Sequence, residues 1–228
     1  MSEFRLNRVL SKPLTTILLG TPLTPNQITT LSLCLGLGAG FLFSLGRYWP
    51  ALAAATLYQM AAILDNCDGE VARAKNMKSR FGGWYDVVSD LITDLFLFGG
   101  VTLGALRSHA EGPVVLFGVL ALSGVVIHGT LVIWEKIRGF GPAVFDAPHP
   151  EHNKRRSPLL GFFDAIREGD SSWCVLLFAM AGQMTLFLRL GGLYMQLLWI
   201  ASVIVNYRWL FVKKNNPGRG IPPTGSVL

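Results

Sequence analysis

Asp65-Asn66-Cys67-Asp68-Gly69-Glu70-Val71-Ala72-Arg73, then eight residues, then Gly82-Gly83-Trp84-Tyr85-Asp86-Val87-Val88-Ser89-Asp90, with Asp94 one turn further, is the stretch that decides the fold. Five aspartates fall here inside apolar surroundings. An ionised carboxylate is costly in such a medium unless a cation, a donor or a proton path compensates it. The segments around it therefore need a chemical explanation as well as a structural one.

Working outward, apolar runs near 20 residues recur at roughly 26–45, 50–72, 84–106, 113–134, 171–188 and 192–212, lengths that suit bilayer-spanning helices. The chain has 228 residues, is 51% hydrophobic and only 15% charged, and its mean hydropathy is +0.43. A soluble domain of this size buries a core without six such runs. The expectation is an all-α, polytopic membrane bundle of six transmembrane helices.

The net charge of +6 is spread unevenly, and all but three of the 20 Lys and Arg residues fall in alternate connections or at the termini. The three exceptions are Arg47, Arg107 and Arg189. The positive-inside rule then puts both termini, the 73–80 connection and the long 136–170 loop in the cytoplasm. The basic balance reads as topology and anionic-lipid contact, with no nucleic-acid role. Residues 1–22, with Phe4, Leu6, Val9, Leu10 and Leu14 interleaved with Arg5, Arg8 and Lys12, suit an interfacial amphipathic helix ending near Pro13. Packing of that helix against the bundle is the equal alternative. Residues 23–214 form the membrane domain, and 215–228 a flexible tail rich in Pro and Gly. Thr24 and Pro25 mark the start of the first span, where Gly36, Gly38, Ala39 and Gly40 allow close helix approach.

Asp65 and Asp68 are three apart, so on a helix they share a face; Asp86, Asp90 and Asp94 are spaced by four and form one stripe. The short link between the two spans makes them an antiparallel hairpin, and four carboxylates converge at its cytoplasmic end. Hard oxygen ligands without His or Cys suit Mg²⁺, Mn²⁺ or Ca²⁺ over Zn²⁺. Such ions hold phosphates and neutralise charge in phosphoryl transfer. Gly69, Ala72 and Gly82 lack bulk where a diphosphate would approach the backbone, and Arg73 is a planar phosphate donor.

The pattern Asp-x2-Asp-Gly-x2-Ala-Arg-x8-Gly-x3-Asp-x3-Asp, running from Asp65 to Asp90, resembles the signature of the CDP-alcohol phosphotransferases. Its eight positions are Asp65, Asp68, Gly69, Ala72, Arg73, Gly82, Asp86 and Asp90. The resemblance implies that an alcohol attacks the phosphate of a CDP-linked donor, most simply CDP-diacylglycerol, and CMP leaves. It implies metal ligation by Asp65, Asp68, Asp86 and Asp90, with two ions per site, and Asp90 as the general base. Gly69, Ala72, Arg73 and Gly82 would shape the CDP site, and the chain would form a homodimer.

Candidate acceptor contacts are His128, Lys154, Arg155 and Arg167. For His128 a buried, satisfied histidine is the more common outcome than a substrate contact. Lys154, Arg155 and Arg156 are explained as well by topology as by recruitment of an anionic acceptor. Arg167 stands just before the fifth span, whose N-terminus can hold a phosphate. Asp94 lies outside the signature and reads as structural or as the end of a polar track toward His128. Glu70 is expected at the cytoplasmic rim. Phosphatidylglycerophosphate and phosphatidylinositol-phosphate synthases resembling this family usually carry Ser-Tyr-x-basic-Ala around the fourth span. This chain reads His128-Gly129-Thr130-Leu131-Val132 instead, which points away from those two activities. A soluble CDP-alcohol donor is the alternative within the class. A cation or proton transporter using the same aspartates is the rival outside it, although no internal repeat supports one.

Overall fold

Thr24 opens the first apolar run as the sequence predicts. Its hydroxyl accepts from the Gln27 N–H, the Gln27 side chain returns the bond, and Pro25 takes the first helical position. The computed structural model describes residues 6–137 and 171–215, and all regular structure among them is helical. The helices are α1 (Leu6–Leu19), α2 (Pro25–Phe43), α3 (Tyr48–Ala74), α4 (Arg80–Arg107), α5 (Val114–Ile137), α6 (Ser171–Met180) and α7 (Met184–Asn215).

Among the described residues, four helices are long and apolar enough to cross a membrane: Pro25–Phe43, Arg80–Arg107, Val114–Trp134 and Met184–Ile204. Two of the six expected spans, on α3 and α6, fall outside that set. α3 has the length, at 27 residues, but Gln59, Asp65, Asp68, Glu70 and Arg73 dilute its hydropathy. α6 is a 10-residue helix in the described stretch. Exposed apolar side chains such as Phe41, Val115, Val119 and Leu177 leave a lipid-facing surface around the bundle.

The last two expected spans break in a different place. The turn falls at 181–183, where Gly182 adopts φ +67 and the Gln183 N–H reaches the Phe178 carbonyl at 2.8 Å. That is a Schellman ending. α3 and α4 end in the same way through Asn76 and His109, both at positive φ. Gly191 and Gly192, where the sequence suggested a link, lie inside α7. A Cβ there would meet the Phe98 ring at 2.7 Å and the Phe117 carbonyl at 2.8 Å, so they serve packing.

α2 packs against both α3 and α4, and the contact with α4 is made backbone to backbone. A Cβ on Gly100 would strike the Gly40 carbonyl, and one on Gly104 the Phe43 carbonyl. A Cβ on Gly46, at φ +65, would strike the Gly104 carbonyl. The small residues of the first span therefore do what small residues do in membranes, letting two helices touch directly. Across the bundle α5 packs on α7 and α4, and α6 on α3 and α7. Arg107 donates to the Ser44 carbonyl at 2.7 Å and Arg189 to the Glu111 carbonyl at 2.5 Å, tying loops at the end opposite the aspartates.

α1 takes the packing alternative, and its end point and buried face differ from expectation. The helix continues through Pro13 to Leu19, and the Ser11 hydroxyl donates to the Arg8 carbonyl near the missing proline bond. Its contacts advance in step with α3, from Asn7 against Gln59, through Ser11 and Thr15 against Glu70, to the Thr21 carbonyl against Lys75. It therefore runs beside α3 and does not lie across the bundle end. Its polar stripe of Asn7, Ser11 and Thr15 is buried, while Val9, Leu10 and Ile17 face outward. Glu70 is correspondingly held by Ser11 at 3.1 Å and Thr15 at 2.6 Å.

Gly100→Val is expected to wedge α2 from α4, costing about 1–3 kcal/mol and lowering the melting temperature in detergent. An unchanged melting curve would refute the direct backbone contact.

Candidate functional site

Two helix ends and one short turn build the site. α3 delivers Asp65 and Asp68 in its last three turns, and α4 delivers Asp86 in its second. Ser79 caps α4 by accepting from the Gly82 N–H at 2.9 Å, which fixes the start of the carboxylate stripe. Carboxylate oxygens of Asp65, Asp68 and Asp86 all lie within 4.8 Å of one another. Asp68 is buried and Asp65 and Asp86 are half-buried. Thr29 of α2 donates its hydroxyl to the Asp68 carboxylate, orienting the most enclosed member of the three.

Three anionic oxygens this close repel one another unless a cation is shared between them. The donor set, all hard oxygen, fits Mg²⁺ or Mn²⁺. Asp90 stands outside this triad. It faces a cavity of about 520 Å³ that Asp65 also borders, so the two carboxylates join the triad to the cavity.

The other expected residues fall in two groups. Gly69, Ala72 and Arg73 end α3, and Gly82 begins α4, so the α3–α4 turn brings them to the mouth of the triad. The Arg73 guanidinium folds back over Gly69, where a Cβ would sit 3.4 Å from Nη1. Gly82 lies against α2, since a Cβ there would meet Asn26 Oδ1 at 3.0 Å. His128 lines the cavity, on α5. Lys154, Arg155 and Arg167 lie outside the described residues.

The sequence reading missed several contributors. Thr29 and Asn26 come from α2, more than 35 residues away along the chain from Asp68 and Gly82 respectively. Thr30 and Tyr85 join hydroxyls at 2.9 Å beside them. The only sequence signal for this group was the position of Asn26 to Thr30 in the first turns of a capped helix. Asp94 accepts from the Tyr58 hydroxyl at 3.4 Å across α3 and α4.

The family model for CDP-alcohol phosphatidyltransferase matches residues 22–147. The bifunctional IPC transferase and DIPP synthase of Rubrobacter xylanophilus is 38% identical over 130 residues, covering 56% of this chain and 28% of that protein. The phosphatidylinositol phosphate synthase of Corynebacterium glutamicum is 31% identical over 132 residues, covering 58% of each. Among solved structures, Mycobacterium tuberculosis phosphatidylinositol phosphate synthase with CDP-DAG bound matches with a TM-score of 0.56 at 20% identity, over 86% of this chain and 94% of that one. Its complex with manganese and citrate matches at 0.55 and 21%, over 85% and 88%. At that identity the likeness speaks for a shared fold. The aligned stretch spans little more than a quarter of the Rubrobacter relative.

Asp65→Ala and Asp86→Ala are each expected to weaken Mn²⁺ binding to the purified protein by at least about tenfold. Manganese titration followed by electron paramagnetic resonance reads this directly, and an unchanged isotherm would remove the residue from the ligand set.

Proposed function

Starting from the CDP-alcohol phosphatidyltransferase family, to which the chain belongs, we propose that it transfers a phosphatidyl group from CDP-diacylglycerol to an alcohol, releasing CMP, in phospholipid synthesis. The observation that carries this reading is the Asp65–Asp68–Asp86 triad lying beside a cavity onto which Asp90 opens. Triad and cavity divide the work between donor and acceptor.

Asp65, Asp68 and Asp86 would hold the divalent cations, with Asp90 at the edge of the set. Those ions would neutralise charge gathering on the pyrophosphate as CMP departs. Arg73, with Gly69, Ala72 and Gly82 leaving the backbone bare, would seat the CDP moiety. Asp90, on the cavity side, takes the proton from the acceptor hydroxyl as its oxygen attacks the phosphorus. Fixed carboxylates and a shaped cavity hold that oxygen in line, so positioning contributes as much as proton transfer. The long loop, through Lys154, Arg155 and Arg167, and His128 from within would meet the acceptor.

The unit works in the membrane with triad and termini on the cytoplasmic side, in keeping with the clustering of cationic residues. Residues 23–214 form the catalytic unit with α1 clamped to it; 215–228 form a tail, and two chains pair as a homodimer. A soluble CDP-alcohol as donor is a second reading, beside the Rubrobacter relative named for an IPC transferase and a DIPP synthase activity.

Asp90→Asn is expected to keep Mn²⁺ and CDP-donor binding while lowering kcat by about 10²-fold or more. The assay is CMP release from CDP-diacylglycerol with a panel of alcohols. Normal turnover in this variant would strike out the base, and metal-dependent CDP binding without turnover of CDP-diacylglycerol would favour the soluble donor.

A further inference from the structure

The cavity below Asp90 has three levels. At the carboxylate end stand Asp65 and Asp90. One helical turn further along α4, about 6 Å away, Asp94 lines the cavity together with polar side chains from other helices: Tyr58 of α3, His128 of α5 and Tyr194 of α7. Deeper still the walls are apolar, and the cavity is floored by Phe98, Phe178 and Phe187. The Phe98 and Phe187 rings stack at 5.7 Å and Phe178 leans on Phe187 at 5.9 Å.

Nothing in the metal triad requires the middle level. Four polar side chains converging from four helices in otherwise apolar walls are the usual signature of a specificity site. We propose that Tyr58, Asp94, His128 and Tyr194 grip the hydroxyl groups of a compact polyol acceptor, with Asp94 and Tyr58 as the specificity-determining pair. The inference rests on the transferase reading above and names the acceptor class for that site.

Each hydroxyl of a polyol both donates and accepts. Carboxylate, phenol and imidazole together offer both functions, with Asp94 as the strong acceptor and the tyrosines as donors. The Tyr58 hydroxyl already points at Asp94, 3.4 Å away. A polyol whose attacking hydroxyl lies at Asp90 places its far hydroxyls one helical turn away, at Asp94. The aromatic floor closes the space beneath, which favours a compact head group over a lipid alcohol with a long chain. A lipid alcohol has a single hydroxyl to offer these four polar groups, whereas a polyol has several, a difference that sites of this kind use for discrimination.

The test uses the full chain in detergent with Mn²⁺ and CDP-diacylglycerol. Acceptors are myo-inositol, glycerol and their phosphates, against serine, choline and diacylglycerol. The expected result is turnover of a polyol. Asp94→Asn and Tyr58→Phe should each raise its KM by about tenfold or more, with the donor KM and melting temperature held. An unchanged polyol KM in both variants, or preference for the amino alcohols or diacylglycerol, would overturn the assignment and leave the transferase reading standing. Should the wild type release no CMP with any acceptor, CDP-diacylglycerol fails as the donor. Equilibrium dialysis of tritiated myo-inositol then decides the subsite separately: binding lost in Asp94→Asn supports it, and absence of binding overturns it.

Discussion

The structure depends on one electrostatic constraint: Asp65, Asp68 and Asp86 crowd their oxygens within 4.8 Å inside a mostly apolar bundle. Such an arrangement persists only when the scaffold holds the carboxylates together and supplies compensation. The short α3–α4 turn, the Ser79 cap, and Thr29 reaching across from α2 all serve that end. So does the direct α2–α4 contact, which leaves α2 no freedom to carry Thr29 away.

Much of this was legible in advance because it is local. A carboxylate spacing of three or four fixes a helix face, and a link of a few residues fixes the hairpin. Family membership, which the signature suggested, leaves a cation transporter without support. What stayed hidden depends on partners distant in the chain. Gly182 and the Gly191–Gly192 pair were rival breaks in one apolar stretch. Only the Phe98 ring and the Phe117 carbonyl, pressing where side chains would stand, show that the pair belongs inside a helix.

α1 gives the converse case. Asn7, Ser11 and Thr15 lie four apart and form a plain polar stripe, yet the sequence attached more meaning to the apolar residues between the basic ones. Val9, Leu10 and Ile17 stay exposed on this helix, while its buried polar groups must find each other. Glu70 and Gln59 supply the partners, and Trp173 donates to the Asn7 carbonyl oxygen at 3.0 Å. The polar seam thus joins the first helix to α3 and to the start of α6. The acceptor contacts assigned to Lys154, Arg155 and Arg167 remain readings of sequence alone, because that stretch lies beyond the described residues.

The glycine contacts between α2 and α4 carry a consequence for how such a scaffold diversifies. Helices touching through their backbones have no side chains to repack, so that wall of the chamber is stiff. The opposite wall, from α5 and α7, meets the chamber through Val125, Val132, Met195 and Leu198, side chains that can be enlarged, trimmed or rotated. The molecule is a vice with one fixed jaw and one adjustable jaw. The carboxylates are bolted to the first, and the room left beside them is set by the second.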